Sequence, residues 1–283
     1  MIRRPPRSTL SSSSAASDVY KRQDICMGIS FFIAFMYGAI MMFDSTFLID
    51  RYDNPASNPD TQTISIFMFW LGAANIGAAF GITYMGYKGL DRAYFAYAVP
   101  LLFFFIIWNI APAQASGNYT GIVLLSISLV ALIIARSRSG FPSNPFDIPK
   151  ADKYFGTDDM ITKVLLFLGL IGQGFNVIYY FVRPDAIIED TPVLAMSVEA
   201  QQFATAMMLL SLAWVISLLY QMRAGLSMTM ISVGLLISTI YFVGMINYMI
   251  TSGGTGGNPL IGISFTFFFV GSVIVFFRNQ SKA

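Results

Sequence analysis

The sequence predicts an all-α polytopic membrane protein with eight transmembrane helices, arranged as two tandem four-helix bundles. Three observations lead to this fold class. The chain is 55% hydrophobic and 11% charged, with a mean hydropathy of +0.64, whereas soluble domains are about 25% charged. Eight long apolar runs approach the ~20 residues that a membrane-spanning helix needs. Lys and Arg concentrate in alternate connections, as expected of cytoplasmic loops.

Residues 1–23 are interpreted as translated sequencing adapter and are excluded from the fold prediction. Residues 1–9 match a translated flow-cell oligonucleotide, and residues 13–23 match a translated transposase adapter. The alternative is a basic, Ser-rich targeting peptide, but no apolar region of its own precedes Gln23. We therefore expect native residues to precede Asp24.

Removing the adapter changes the charge of the chain. Residues 1–23 hold five basic side chains and one acidic one, so the totals of 17 and 15 become 12 and 14, and the net charge of +2 becomes −2. A basic chain would favour a nucleic-acid partner. Because the excess of basic residues lies in the adapter, we predict no nucleic-acid binding.

The first half of the native chain, residues 24–135, contains four apolar runs: 25–43, 64–87, 93–110 and 119–135. Pro and Asp in residues 44–63 mark a turn-rich connection between the first two runs. Residues 88–92 predict a tight polar turn and residues 111–118 a neutral loop. Pro100 lies inside the third run, where proline usually kinks a membrane helix.

Residues 136–159 form the longest hydrophilic interval outside the N-terminal region and predict a linker between the halves. The second half, residues 160–283, contains the apolar runs 160–182, 198–220, 226–250 and 259–277. Its connections repeat those of the first half: an acidic Pro-containing loop, a short basic turn with Gly, and a neutral loop. At an offset of 136, Gly89 aligns with Gly225 and Leu90 with Leu226. These features predict an internal duplication, with parallel copies because each half has an even number of spans.

The basic residues predict the orientation of the chain. Ten native Lys and Arg residues fall on one predicted face: Lys88, Arg92, Arg136, Arg138, Lys150, Lys153, Lys163, Arg223, Arg278 and Lys282. The other face has Arg51 and Arg183. Because cytoplasmic loops carry the excess of positive charge, we expect the linker and both termini to be cytoplasmic.

The chain has no histidine and a single cysteine, Cys26. The missing histidines exclude histidine-ligated haem, His-rich di-iron sites, and Ser-His-Asp or Cys-His catalysis. No motif identifies a catalytic residue, a cofactor or a metal site.

Small residues on the second helix predict a close helix contact. Ala73, Gly77 and Gly81 recur every four residues, and such spacing lets two helix backbones approach in lipid. An internal contact is the simpler interpretation. A hinge or a homodimer face is the alternative.

Five amide side chains lie within the apolar runs: Asn75, Asn109, Gln173, Asn176 and Asn247. An unpaired amide is costly in a membrane, so we expect these groups to face the bundle interior and to bond across helices. Alternatively, they line a path for a small solute. No charged residue lies at the centre of a run, which argues against a proton-coupled pump or ion transporter.

Acidic residues of the two matched outer loops form a second candidate site: Asp50, Asp53, Glu189 and Asp190. Solvated loop charge is the simpler interpretation. The alternatives are a divalent-cation site, because such ions prefer oxygen ligands, and a hydrolytic carboxylate pair.

Each half resembles the small four-helix membrane proteins of the DoxX-like group. The resemblance is carried by residues 50–59 with 72–81, and by residues 183–192 with the run that follows. It implies a four-helix bundle for each half. The biochemistry of that group is largely undefined, so the resemblance implies no catalytic residues.

Three function classes follow. The first is a non-enzymatic membrane scaffold, or a protein that handles small solutes or lipids through its bundle interior. The second is a membrane enzyme acting on a lipid or isoprenoid substrate with the outer carboxylates and a metal. The third is an accessory subunit of a larger membrane complex, with residues 136–159 as its docking segment. The expected partners are membrane lipids, together with a further copy of the chain or a membrane-complex partner.

Overall fold

The computed structural model describes residues 9–44, 61–142, 144, 147–183, 198–251 and 259–280. Within these residues there are eight α-helices and no strand, which confirms the predicted all-α class. The helices are α1 (Thr9–Phe43), α2 (Thr61–Lys88), α3 (Arg92–Ser116), α4 (Thr120–Ser137), α5 (Met160–Val182), α6 (Val198–Ala224), α7 (Met228–Thr251) and α8 (Pro259–Asn279). A short 3₁₀ turn, Tyr154–Gly156, precedes α5.

The helices have the length and composition of membrane spans. Among the described residues, the seven helices α1 to α7 each contain an apolar segment long enough to cross a bilayer. The described apolar part of α8 is shorter, at Thr266–Asn279. The backbone N–H and C=O groups of an α-helix bond to each other, so an apolar helix of this length can lie in lipid, where no water is available as a partner. The chain is an integral membrane protein.

Glycines with positive φ directly follow three of the described helices, and two of these glycines lie in the short hairpin turns. Gly117 adopts φ +70° and caps α3, which extends through Pro112 to Ser116. The prediction of a loop over residues 111–118 was therefore wrong for most of its length, because the residue that can adopt a left-handed cap comes at the end of that interval. Gly89 and Gly225 have φ +101° and +107° in the turns before α3 and α7.

The helix α1 begins at Thr9, before the apolar run predicted over residues 25–43. It therefore includes residues that the sequence assigns to adapter. Helix formation does not bear on the origin of these residues, and their assignment stays a prediction. Lys21–Phe43 is the part of α1 that is apolar enough to cross a membrane.

The helix contacts form a closed ring in the order α1, α2, α7, α8, α5, α6, α3, α4 and back to α1, in which the contact between α8 and α5 is the smallest. Two further contacts, α2 with α6 and α3 with α7, cross the ring. The set of contacts is unchanged when every helix number is shifted by four: α1–α2 becomes α5–α6, and α2–α7 becomes α6–α3. The contacts between the halves are made mainly by two helices of each: α2 packs against α7, and α3 packs against α6.

Large side chains fill the space between the halves. The rings of Tyr97 on α3 and Trp214 on α6 have centroids 4.8 Å apart. The Tyr241 hydroxyl on α7 donates to the carbonyl oxygen of Trp70 on α2 at 3.1 Å. Tyr97 is fully buried, and Trp214 is 8% exposed. The described part of the interface is therefore a packed core.

The linker between the halves folds back onto the bundle. The Ala151 amide donates to the Arg223 carbonyl at 2.8 Å, and the Leu226 amide donates to the Phe155 carbonyl at 2.9 Å. Phe155 is fully buried and packs edge-on against Phe167 of α5. The described part of the linker thus covers the turn between α6 and α7, and we call this side of the molecule the basic end.

Candidate functional site

An apolar groove runs between α1 and α4, and we call it the lateral groove. Its volume is about 660 Å³. Bulky side chains line it from both helices: Ile29, Phe32, Ile33 and Met36 of α1, with Leu124 and Ile127 of α4. The Ser30 hydroxyl donates to the Ser128 carbonyl at 3.1 Å and joins the same two helices within the protein. The groove is open on its outer side, where Phe32 is 62% exposed.

A second cavity, the basic-end cavity, lies where α1 and α2 meet the end of α4. Its volume is about 1180 Å³. Met27, Phe31 and Met85 supply apolar surface, and Asp24 and Arg138 supply opposite charges. The cavity is thus amphipathic, whereas the lateral groove is almost entirely apolar.

Gly28 lines both cavities. A side chain built at this position would meet no atom within 4 Å. Gly28 therefore borders the apolar lateral groove and also the cavity that contains charged residues.

The two hairpin turns meet at the basic end through a buried polar network. The Ser227 hydroxyl donates to Asp91 at 2.6 Å, and Asp91 caps α3 by accepting from the Ala93 amide. Gln221 accepts from the Ser227 amide at 3.2 Å, and its amide group donates to Ser217 at 3.4 Å. Because every member has a partner, this network stabilises the junction between the halves.

Asp91 and Ser227 are separated by the same offset of 136 that aligns the two glycine turns. Neither this pair nor the buried Gln221 was predicted from the sequence. The sequence did contain one indication of the pair: Asp91 and Ser227, both residue types that cap helices, follow the glycines of the two turns. Their mutual contact depends on the packing of the two halves, which the sequence pattern does not contain.

The predicted small face of α2 lies against α7 and α3. Ala73 is fully buried, and a Cβ at Gly77 would come within 2.5 Å of Ile237. A Cβ at Gly81 would lie 2.8 Å from Val233 and would also clash with the ring of Tyr94. These glycines therefore permit close approach inside the protein.

Two of the predicted intramembrane amides are buried and bond to their own helix. Asn75 donates to the Leu71 carbonyl at 2.9 Å and approaches the Met41 sulfur of α1 at 3.7 Å. Asn109 donates to the Phe105 carbonyl at 2.8 Å. For these two amides, the described bonding across helices is thus limited to the weak contact of Asn75 with Met41, because the preceding turn offers each amide a closer acceptor.

The other three amides lie towards the outside of the bundle. Gln173 and Asn176 are half-buried on α5. Only 6% of the Met160–Tyr179 segment of that helix is buried inside the protein. Asn247 is exposed on α7. The structure therefore does not bring the five amides together along one path.

The acidic candidates Asp50, Asp53, Glu189 and Asp190 lie outside the described residues. Within the part of the chain that the structure describes, no group of three or more His, Cys, Asp or Glu side chains could hold a metal ion.

An ion pair joins the end of α8 to the start of α5 at the basic end. Arg278 of α8 donates two hydrogen bonds of 2.7 Å to Asp159, which caps α5. Asn279 is buried and donates to Thr162 at 2.9 Å. The hydrogen bonds from Arg278, and then those from Thr162, hold the pKa of Asp159 well below its ordinary value of 3.8.

Basic residues from distant parts of the chain gather at this same end. Arg92 donates to the Asp147 carbonyl at 3.2 Å, and Arg223 donates to the Ile148 carbonyl at 3.4 Å. Arg278 lies at the end of α8 beside the start of α5. The basic connections that the sequence places on one predicted face therefore lie at one end of the described bundle.

No family model, curated protein or solved structure matches the chain.

Proposed function

We propose that this integral membrane protein is non-catalytic and binds the hydrocarbon chain of a membrane lipid in the lateral groove. The observation that carries the proposal is the apolar groove of about 660 Å³ between α1 and α4. Sites that hold small molecules have volumes of ~300–1,000 Å³. A lipid chain needs apolar contact and no specific polar partner, and this groove offers that surface.

The dimensions of the groove support this ligand class. Its α1 wall extends from Ile25 to Ile40, which is about 22 Å at about 1.5 Å per residue. One leaflet contributes about half of a ~30 Å hydrocarbon core. The groove is therefore long enough to hold a chain that lies along the helix within one leaflet.

The packed interface between the halves favours a lipid-facing site over a solute path through the interior. Tyr97, Trp214 and Ile237 fill the described centre of the molecule. A path for a small solute through the bundle interior, which the sequence also allowed, would require these side chains to move apart. The lateral groove needs no such rearrangement.

We also propose an internal duplication and a cytoplasmic basic end. The unchanged helix contacts after a shift of four helices support the duplication. The gathering of Arg92, Arg223 and Arg278 at one end supports the orientation. The likeness of each half to the DoxX-like group stays a prediction, as do the enzyme and accessory-subunit classes.

Glycine substitutions test the lipid site directly. A Cβ at Gly28 or at Gly172 of α5 would meet no atom within 4 Å. The Gly28→Phe ring fills the groove, whereas the Gly172→Phe ring projects from an outer helix and serves as the matched control. Lipid titrated into detergent-solubilised protein is counted by native mass spectrometry. We expect saturable binding that falls roughly tenfold in Gly28→Phe and persists in Gly172→Phe. An absence of saturable binding in the unmodified protein, or equal losses in both variants, would contradict the proposal.

A further inference from the structure

We infer that the basic-end cavity binds a phosphoethanolamine headgroup, that is, a phosphate followed by a primary ammonium. This inference rests on the proposed lipid site, because the headgroup belongs to the lipid whose chain occupies the lateral groove. Gly28 borders both cavities. A lipid seated there places its polar end among charged residues and its chain among apolar ones.

The charges of the cavity match a zwitterionic headgroup. Asp24 and Arg138 both line it. Within the described residues, neither Asp24 nor Arg138 takes part in an ion pair. A guanidinium binds phosphate oxygens through several donors. A carboxylate accepts hydrogen bonds from a primary ammonium, so the pair can neutralise both ends of the headgroup.

The backbone at the end of α4 holds Arg138 at the cavity. Its amide donates to the Ile134 carbonyl at 3.2 Å, so the main chain is fixed by the last turn of the helix. Gly140 adopts φ +74°, which turns the chain after Ser139. Thr83 and Ser139 also line the cavity, but their hydroxyls already donate to the carbonyl oxygens of Ala79 and Arg136, so Arg138 supplies the donors for a phosphate.

The position of the cavity along the membrane fits a headgroup. Asp24 directly precedes the apolar run 25–43, and Arg138 directly follows α4. These residues therefore lie where the hydrocarbon core ends and polar headgroups begin. Met27 and Met85 are buried beneath them and offer apolar surface to the first carbons of the chain.

The headgroup is tested with three lipids that share the same acyl chains. Phosphatidylethanolamine carries a primary ammonium, phosphatidylcholine a quaternary ammonium that cannot donate a hydrogen bond, and phosphatidylglycerol no cation. Each is titrated separately, and bound lipid is counted by native mass spectrometry. Because hydrogen bonds to charged groups discriminate strongly, we expect phosphatidylethanolamine to bind roughly tenfold more tightly than the other two.

Charge variants separate the two halves of the headgroup. Asp24→Asn should remove the preference for phosphatidylethanolamine, whereas Arg138→Gln should weaken all three phosphate lipids by a similar factor. Asp152→Asn and Lys150→Gln are the matched controls, since both residues are exposed in the linker and outside the cavity. The controls should bind like the unmodified protein.

Two different failures can be distinguished. Equal binding of the three lipids, with binding still lowered by Gly28→Phe, would overturn the headgroup site and leave the lipid groove intact. A preference that survives Asp24→Asn, or that Asp152→Asn removes equally, would also overturn it. The absence of saturable binding of any lipid would overturn both the headgroup site and the proposed function.

Discussion

Asp159 shows how one side chain joins distant parts of the chain. Its carboxylate caps the first turn of α5 and binds the guanidinium of Arg278 at the end of α8. The side chain of Asp159 is 10% exposed, whereas that of Arg278 is 45% exposed. In the sequence, Asp159 is the last residue of the predicted linker, directly before the apolar run 160–182. The partner, 119 residues away, follows from the packing of α8 beside α5.

We expect this pair to make stability depend on pH in the acidic range. The pKa of Asp159 in the folded protein lies below its ordinary value of 3.8. The folded state therefore binds fewer protons than the unfolded state, so the contribution is present above the unfolded pKa and is lost as the pH falls. The thermal unfolding midpoint, measured in detergent from about pH 7 to about pH 3, should decrease on acidification.

Asp159→Asn should flatten this pH dependence, because the variant has no carboxylate to protonate at that position. The neighbouring Asp158 provides a matched control, since its side chain is 77% exposed in its pair with Lys153. Asp158→Asn should keep the slope of the unmodified protein. Identical slopes in all three proteins would show that the pair with Arg278 does not contribute.

Among the helices, α2 approaches its neighbours closely because glycines lie at the contacts. Gly72 faces α1, where a Cβ would lie 2.9 Å from the Gly38 carbonyl oxygen. Gly77 faces Ile237 of α7. One helix therefore contacts its own half on one side and the other half on another. Repeated small residues predict close packing, but they do not say which helix is approached, because any neighbour can fill the space.

We expect Gly77→Val to destabilise the protein by about 1–3 kcal/mol, the usual cost of adding methyl groups to a packed core. Gly169→Val is the matched control, since a Cβ at Gly169 of α5 meets no atom within 4 Å. Both substitutions place a β-branched residue in a helix, so their propensity terms are comparable. Thermal unfolding in detergent measures the difference. A Gly77→Val protein as stable as the control would refute the close contact with α7.

At the scale of the whole molecule, the two halves are joined by contacts that are symmetric in helix order. α2 and α3 of the first half pack against α7 and α6 of the second. The hairpin turns meet through Asp91 and Ser227, and the linker covers the turn beside Gly225. The linker is thus part of the described bundle. A docking role for residues 136–159 would have to use the surface that remains exposed.

The orientation of the whole molecule can be measured by cysteine labelling. In a Cys26→Ser background, Lys150→Cys reports on the basic end and Tyr119→Cys on the opposite end. Both residues are exposed, and Tyr119 makes no side-chain capping bond. Because positively charged loops stay in the cytoplasm, a membrane-impermeant maleimide added to intact cells should label Tyr119→Cys alone. In inside-out vesicles it should label Lys150→Cys alone.

The reverse labelling pattern would show that the basic end faces outwards. Labelling of both positions from one side would contradict the helical topology itself. A Cys26→Ser protein without added cysteines controls for background labelling, since Cys26 is the one cysteine in the chain.

We could predict from the residues alone the all-α class, the approximate extent of most spans and the gathering of basic residues in alternate connections. These properties are local, because the length of an apolar run and the charge of a loop can be read without knowing any neighbour. The end of α3 was misplaced because it depends on a single glycine cap at Gly117.

Tertiary structure alone decided which apolar faces meet helices and which remain open. Lipid is as apolar as a leucine side chain, so hydrophobicity does not distinguish a face that packs from one that contacts the bilayer. The lateral groove, the position of Gly28 in both cavities and the presence of Asp24 and Arg138 in one cavity depend on this packing of distant helices. That packing depends on how the shapes of the helices fit together.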